Sequence, residues 1–191
     1  MDNVKEKIED ELFYMLHEKT LDKITVTELC KKCKLSRQSF YYYFKDLHGV
    51  LEAIFKRQAE NIMGTRRNVK SWKSGYVDLL RWSLEHEDYV MNVMNSVKRE
   101  EIEHCVNRKI YGYAYGEVSR FAEKMDLPEC QKEYISEFYS LSLTANYIRW
   151  LEKGMKSTPE SEGAKLGVLL DGNIFTAIQK FKQLNANNSA G

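Results

Sequence analysis

Apolar residues recur at helical spacing along almost the whole of this 191-residue chain. Val4, Ile8, Leu12 and Leu16 repeat every four positions and predict a first helix over residues 3–19. The stretch TLDKITVTELCKKCKLS interrupts that stripe. Thr27, just before Glu28, is the expected cap of a second helix ending near Cys33, and Ser36 the expected cap of a third over 37–44. Leu47, Val50, Leu51, Ile54 and Phe55 then fall at i, i+3, i+4, i+7 and i+8, which predicts a fourth helix reaching to about Asn68.

Downstream, RRNVKSWKSG reads as a polar connection. Further helices follow over 77–84, 89–97 and 100–125, the last carrying Ile102, Val106, Ile110, Val118 and Phe121. Pro128 opens another, since proline is tolerated in a first helical turn. To about residue 153 this helix is apolar on nearly every side (Tyr134, Ile135, Phe138, Tyr139, Leu141, Leu143, Tyr147, Ile148, Trp150, Leu151), so it needs cover from more than one direction. After GMKSTPESEG, a final helix carries Leu166, Leu170, Ile174, Ile178 and Phe181, with Leu169, Phe175 and Leu184 widening its stripe. The pattern predicts an all-α fold of about nine helices, with residues 186–191 a disordered tail.

Composition sharpens this picture in two respects. Charged residues make up 30% of the chain and there are two prolines, which suits helices and leaves little for sheet. The net charge of +1 hides a local imbalance. Between Lys23 and Lys45 six basic residues (Lys23, Lys31, Lys32, Lys34, Arg37, Lys45) face one acid, Glu28, so a basic segment is set into an acidic remainder. The N-terminus lacks the basic start and continuous apolar core of a signal peptide, and no segment approaches a membrane span. A cytoplasmic location is expected, with Cys30, Cys33, Cys105 and Cys130 as free thiols.

Within the basic segment, LSRQSFYYYFKD sets five aromatic rings in a row. In a helix that starts at Arg37, Phe40 and Phe44 share one face, with Tyr43 beside them, and can anchor it against the first and fourth helices. Tyr41 and Tyr42 point elsewhere. With Arg37, Gln38, Ser39 and Lys45 they form an exposed face of donors and flat rings. Arginine and glutamine can read base edges in a DNA groove, while tyrosine, serine and lysine hold phosphates. Two short helices, the second bearing that face, make a helix-turn-helix.

The stretch ITVTELCKKCKLSRQSFYYYFKDLHGVLEAIF, residues 24–55, resembles the DNA-binding region of the TetR family of bacterial transcriptional regulators. Thr27, Ser36 and the step from Tyr41 to Phe44 match that family's Thr and Ser openings and its Tyr-x-x-Phe step. Lys34 stands where the family usually has glycine, and Leu47 where it commonly has lysine. The resemblance implies a DNA-binding domain over 1–46 and a helical regulatory and dimerisation domain over 47–185. It further implies a homodimer formed by the last two long helices on a palindromic double-stranded operator. Thr25, Thr27, Tyr41, Tyr42 and Lys45 would hold the backbone, with Ser36 opening the recognition helix and Arg37, Gln38 and Ser39 reading bases. The run FYSLSLTANYIRWLEKGM is similar to a subgroup that includes regulators of dihydroxyacetone kinases controlled by protein partners.

Other constellations have plain readings. Cys30 and Cys33 form a CxxC, but no second pair stands at zinc-finger spacing, and both fall on the core side of a helix. His17, His48, His86 and His104 lie in no metal or catalytic pattern, and glycine-rich phosphate loops and GxSxG are absent, so neither enzyme nor cofactor is indicated. Gly112 and Gly116 mark either a close helix crossing or a bend that opens space. Trp72, Tyr76, Trp82, Tyr89, Met94, Tyr111 and Tyr115 either line a pocket for a small apolar or aromatic effector or fill an ordinary core.

Overall fold

The structure is a computed structural model that describes residues 2–64, 72–123, 125–170 and 172–189. Among these residues the fold is all-α, with ten α-helices and one 3-10 turn. In chain order they are α1 (Asp2–Glu18), the 3-10 turn (Leu21–Lys23), α2 (Val26–Cys33), α3 (Arg37–Tyr43), α4 (Leu47–Gly64), α5 (Trp72–Glu85), α6 (Glu87–Met94), α7 (Arg99–Ala122), α8 (Glu129–Glu152), α9 (Pro159–Leu170) and α10 (Asn173–Ser189). Among the described residues no helix is long and apolar enough to cross a membrane.

Several expected boundaries move for identifiable reasons. Thr25, not Thr27, caps α2: its hydroxyl accepts the Glu28 amide at 3.1 Å, which leaves Thr27 inside the first turn. The helix after the polar connection starts earlier than expected, at Trp72, while 65–71 lie outside the described residues. Pro159 opens α9 within the expected loop, where Thr158 accepts the Ser161 amide. The single last helix is two, because Gly172 takes φ 80°, a left-handed geometry in which the helix cannot continue. The tail is helical through Ser189, held by Asn185, whose amide exchanges two hydrogen bonds with Gln131 at 2.7 and 2.9 Å.

Two compact units result, Met1–Arg67 with Trp82–Cys105, and Asn68–Arg81 with Val106–Gly191. In the first, α1 packs on α2, α4 and α6. Ile8, Leu12, Met15 and Leu16 are buried there with Leu29, Val50, Ile54 and Tyr89. Arg57 on α4 clamps α1 through Glu9 at 3.3 Å and through Asp10. In the second unit Val118, Ile135, Tyr139, Ile174 and Ile178 form a core between α7, α8 and α10. Gly163 is a true close approach, since a Cβ there would meet Val77 Cγ2 at 2.4 Å. Gly112 and Gly116 are not: both are exposed, a Cβ at either would meet nothing within 4 Å, and α7 runs through them unbroken.

The turn between α2 and α3 is closed by two reversed hydrogen bonds, Leu35 N–H to Cys30 O at 2.9 Å and Lys34 N–H to Lys31 O at 3.2 Å. That pattern demands a left-handed residue, and Lys34 supplies it at φ 55°, ψ 43°. A side chain in this conformation is strained by about 1–2 kcal/mol, partly offset by the lower unfolded-state entropy of a non-glycine residue. Lys34→Gly is therefore expected to raise stability by about 0.5–1 kcal/mol, read as a later urea midpoint at unchanged slope.

Candidate nucleic-acid interface

Helix α3 has only seven residues, and its two faces are sharply different. Phe40 is 1% exposed and Phe44, at its C-cap, 7%, whereas Tyr41 is 50% and Tyr42 72% exposed. Arg37 and Gln38 are exposed in the first turn, and Lys45 lies just past the last. The chain thus holds the helix by its phenylalanines and leaves two phenol rings, a guanidinium and an amide in solvent.

The start of the helix is fixed by Ser36, whose Oγ accepts the Ser39 amide at 3.0 Å. The Ser36 and Ser39 hydroxyls also meet at 2.9 Å, where either can donate to the other. Arg37 lies 5.9 Å over the Tyr41 ring, a cation–π contact that orients the guanidinium along the exposed face. Thr25 and Thr27 are exposed at the opening of α2, and Thr25 keeps its hydroxyl hydrogen while its oxygen caps the helix. The structure thus brings Ser36, Arg37, Gln38, Ser39, Tyr41 and Tyr42 together on or at the opening of α3, with Lys45 at its end and the two threonines at the start of α2.

At the position where the resemblance leads one to look for a phosphate-binding lysine, Leu47 opens α4. The helix is capped by Asp46, whose Oδ1 accepts the Gly49 amide at 2.9 Å. The next residue, His48, faces Glu101 at 3.6 Å. A feature that sequence reasoning missed lies here: an open groove of about 500 Å³ lined by Lys45, Asp46, His48, Glu52, Phe55, Val97, Glu101 and His104, among others. No local spacing signals it, because its two walls are some 50 residues apart in the chain.

The aromatic residues of the middle region divide between the two units. Trp82, Tyr89 and Met94 belong to the first, Tyr76, Tyr111 and Tyr115 to the second, and the Trp72 side chain lies outside the described residues. Tyr76 is buried and donates to the Leu143 carbonyl at 3.5 Å, and burial pushes its phenol pKa up. Tyr89 is also buried, among Phe13, His17 and Trp82. Tyr111 and Tyr115 stack at 6.1 Å and are half-buried, with the Tyr115 hydroxyl donating to Glu129.

Cys30 and Cys33 both face the core at 4% and 1% exposure, and among the described residues no group of three or more His, Cys, Asp or Glu side chains is arranged to hold a metal ion. Burial pushes the Cys33 thiol up to about 11.

A small helix with one face buried and a polar, basic, aromatic face presented beside a capped turn defines the class: a helix-turn-helix protein. The family pattern for a TetR-type "transcriptional regulator C-terminal region" matches residues 70–172, over half of the chain. The chain belongs to the TetR family of transcriptional regulators, which are transcription factors and not enzymes. Among solved structures, a "dihydroxyacetone kinase operon activator DhaS" is similar at TM-score 0.69 and 17% identity, over 95% of this chain and 99% of that one. A TetR-family transcriptional regulator from Streptomyces coelicolor is similar at TM-score 0.58 and 13% identity, over 95% and 89%. At these identities the likeness is one of fold. No curated protein matches the sequence.

Two outcomes are expected. Ser36→Ala removes the α3 cap and should lower stability by about 1 kcal/mol, with Ser36→Asp retaining most of it, read by urea unfolding. At pH 8 a thiol reagent should label exposed Cys130 in the folded protein and reach Cys30 and Cys33 only after unfolding, because both are buried and burial raises both thiols, Cys33 to about 11, so that little thiolate is within reach.

Proposed function

We propose that this chain is a homodimeric, cytoplasmic, sequence-specific DNA-binding repressor that a small-molecule effector releases from a palindromic operator. The observation that carries the DNA-binding part is the division of α3, with Phe40 1% exposed and Tyr42 72% exposed on one two-turn helix. Arg37, Gln38 and Ser39 read base edges in the major groove; Thr25, Thr27, Ser36, Tyr41, Tyr42 and Lys45 hold phosphates. The functional division proposed at residue 46 falls at the α3–α4 junction, inside the first compact unit.

For the dimer, the supporting observation is a row of large apolar side chains left in solvent on α8: Tyr134, Phe138 and Leu141 at 63%, 61% and 53% exposure. They fall at i, i+4 and i+7, one face of the helix, while Ile135, Tyr139 and Leu143 on its other side are buried. Val168 and Leu169 on α9 and Leu184 on α10 are exposed as well. A second copy covering this face makes a patch of this kind soluble.

The effector acts by population: it favours the conformation in which two recognition helices no longer match successive grooves. Tyr76 and Tyr89 are already committed to the packing of their units, which leaves half-buried Trp82 and Met94 in the first unit and half-buried Tyr111 and Tyr115 in the second, each pair by itself, with surface to offer a ligand.

A second reading makes the protein a partner-controlled activator. It is favoured by the same exposed row on α8 and by the likeness in fold to an operon activator. If Phe138→Ser leaves a dimer intact yet abolishes regulation in cells, the row serves a partner protein; loss of the dimer supports the first reading.

Alanine at Arg37 or Gln38 should cost about 1–3 kcal/mol at particular bases and relax specificity there. Lys45→Ala should instead weaken binding to all sequences alike and reduce the salt slope by about one. Quantitative gel shifts on a selected site and its single-base variants separate the two, and unchanged binding in all three variants would contradict the assignment of α3.

A further inference from the structure

His17 and His86 are 69 residues apart in the sequence and in contact in the structure: His17 Nε2 lies 3.3 Å from His86 Nδ1. His17 stands in the last turn of α1, and His86 is the N-cap residue of α6, its ring making no bond to the helix it caps. The pair therefore sits on the seam where α1, the helix on which α2 rests, packs on α6. Phe13 flanks both rings, at 4.6 Å from His17 and 5.3 Å from His86, and Trp82 closes on His86 at 4.8 Å. Both histidines are half-buried.

The hydrogen-bond chain fixes what protons the pair can hold. His17 Nδ1 lies 2.9 Å from the Phe13 carbonyl, which only accepts, so this nitrogen carries a hydrogen in either charge state. Neutral His17 then presents a bare Nε2, and His86 Nδ1–H donates to it. One added proton is accommodated: charged His17 donates from Nε2, and neutral His86 accepts at Nδ1 by carrying its hydrogen on Nε2. A second proton is not, because both facing nitrogens would be N–H donors and both rings cations. The N-terminus of α6 acts in the same sense, disfavouring charge on His86.

We propose that the His17–His86 pair is a proton-sensitive latch on the α1–α6 seam, closed while at least one imidazole is neutral and opened when acid forces a proton onto both. Glu87 and Asp88, in the first turn of α6 directly after His86, are exposed. Glu85, at the end of α5, favours charge on His86, and Tyr89 on α6 brings its ring to 5.7 Å from His17. Glu18 next to His17 is exposed, and Lys19 is paired with Glu28 at 2.6 Å. Burial, first, and the neighbouring His17, second, hold His86 below the ordinary histidine value, against the smaller effect of Glu85. The sign follows: the open form binds the second proton more readily, so the closed seam is favoured above the ordinary histidine value of about 6.5 and loses ground as pH falls below it. Because α2, on which α3 packs, rests on α1, opening the latch leaves the seam to its apolar packing and the Asn92–Leu16 hydrogen bond at 2.9 Å, and so loosens the mount of the helix-turn-helix without any organic ligand.

The test uses the full-length protein labelled with ¹⁵N. The imidazole nitrogens of His86 should titrate below the ordinary range. Amide exchange in α1 and α6, corrected for its intrinsic pH dependence, should rise about tenfold between pH 7.5 and 5. His86→Asn, which keeps a hydrogen-bonding side chain but takes no proton, should abolish that rise; His17→Gln serves if it fails to fold. Titration of His86 in a single ordinary step would overturn the proposal, as would an acid-induced rise that survives in a folded variant. Neither readout involves DNA, so the latch and the operator-binding reading can fail separately.

Discussion

The burial of one ring, Phe40, sets the orientation on which the rest of the proposed reading head depends. A helix of seven residues cannot hide two faces, and α3 hides the one that carries Phe40, with Phe44 just beyond it. Burying such a side chain is worth about 1.5–3 kcal/mol, whereas a rotation that covered Tyr41 or Tyr42 instead would also have to desolvate a phenol hydroxyl. The exposed set of Arg37, Gln38, Tyr41 and Tyr42 therefore follows from the packing and is not a separate property. The turn at Lys34 and the cap at Ser36 then fix where α3 begins and how it leaves α2.

Around this head the first unit supplies a stiff mount. Helix α1 packs on α2, α4 and α6 at once, and Arg57 ties α4 back to Glu9 and Asp10. Glu9 is 5% exposed, and burial raises its carboxyl pKa while the Arg57 guanidinium opposes the rise. The seam with α6 is different in kind: beside the Asn92 amide, which donates to the Leu16 carbonyl at 2.9 Å, it holds two imidazoles in contact, a bond that in our proposal depends on their protonation. A mount with one rigid clamp and one titratable seam can let a change at α6 reach α3 through α1.

Most of the helices were legible because their stripes are regular: Val50, Leu51 and Ile54 are buried as their spacing predicts. The division of α3 was legible too, since Phe40 and Phe44 stand four apart. Boundaries set by single hydrogen bonds were not. Thr25 and Thr27 are both good caps by residue type, and only the position of the Glu28 amide separates them. Gly172 ends a helix inside an unbroken apolar stripe, which periodicity alone cannot register. Gly112 and Gly116 have helix-crossing spacing and face solvent. Contacts between distant segments, such as the histidine pair and the groove between α4 and α7, leave no local mark at all.

The central claim is that α3 reads DNA as one of a symmetric pair. Selection of binding sites from randomised duplex DNA by the full-length protein tests it most directly. The account predicts enrichment of a palindrome whose half-sites are centred about one helical turn apart, near 34 Å. Recovery of a single non-repeated site, or of no preferred sequence, would contradict it.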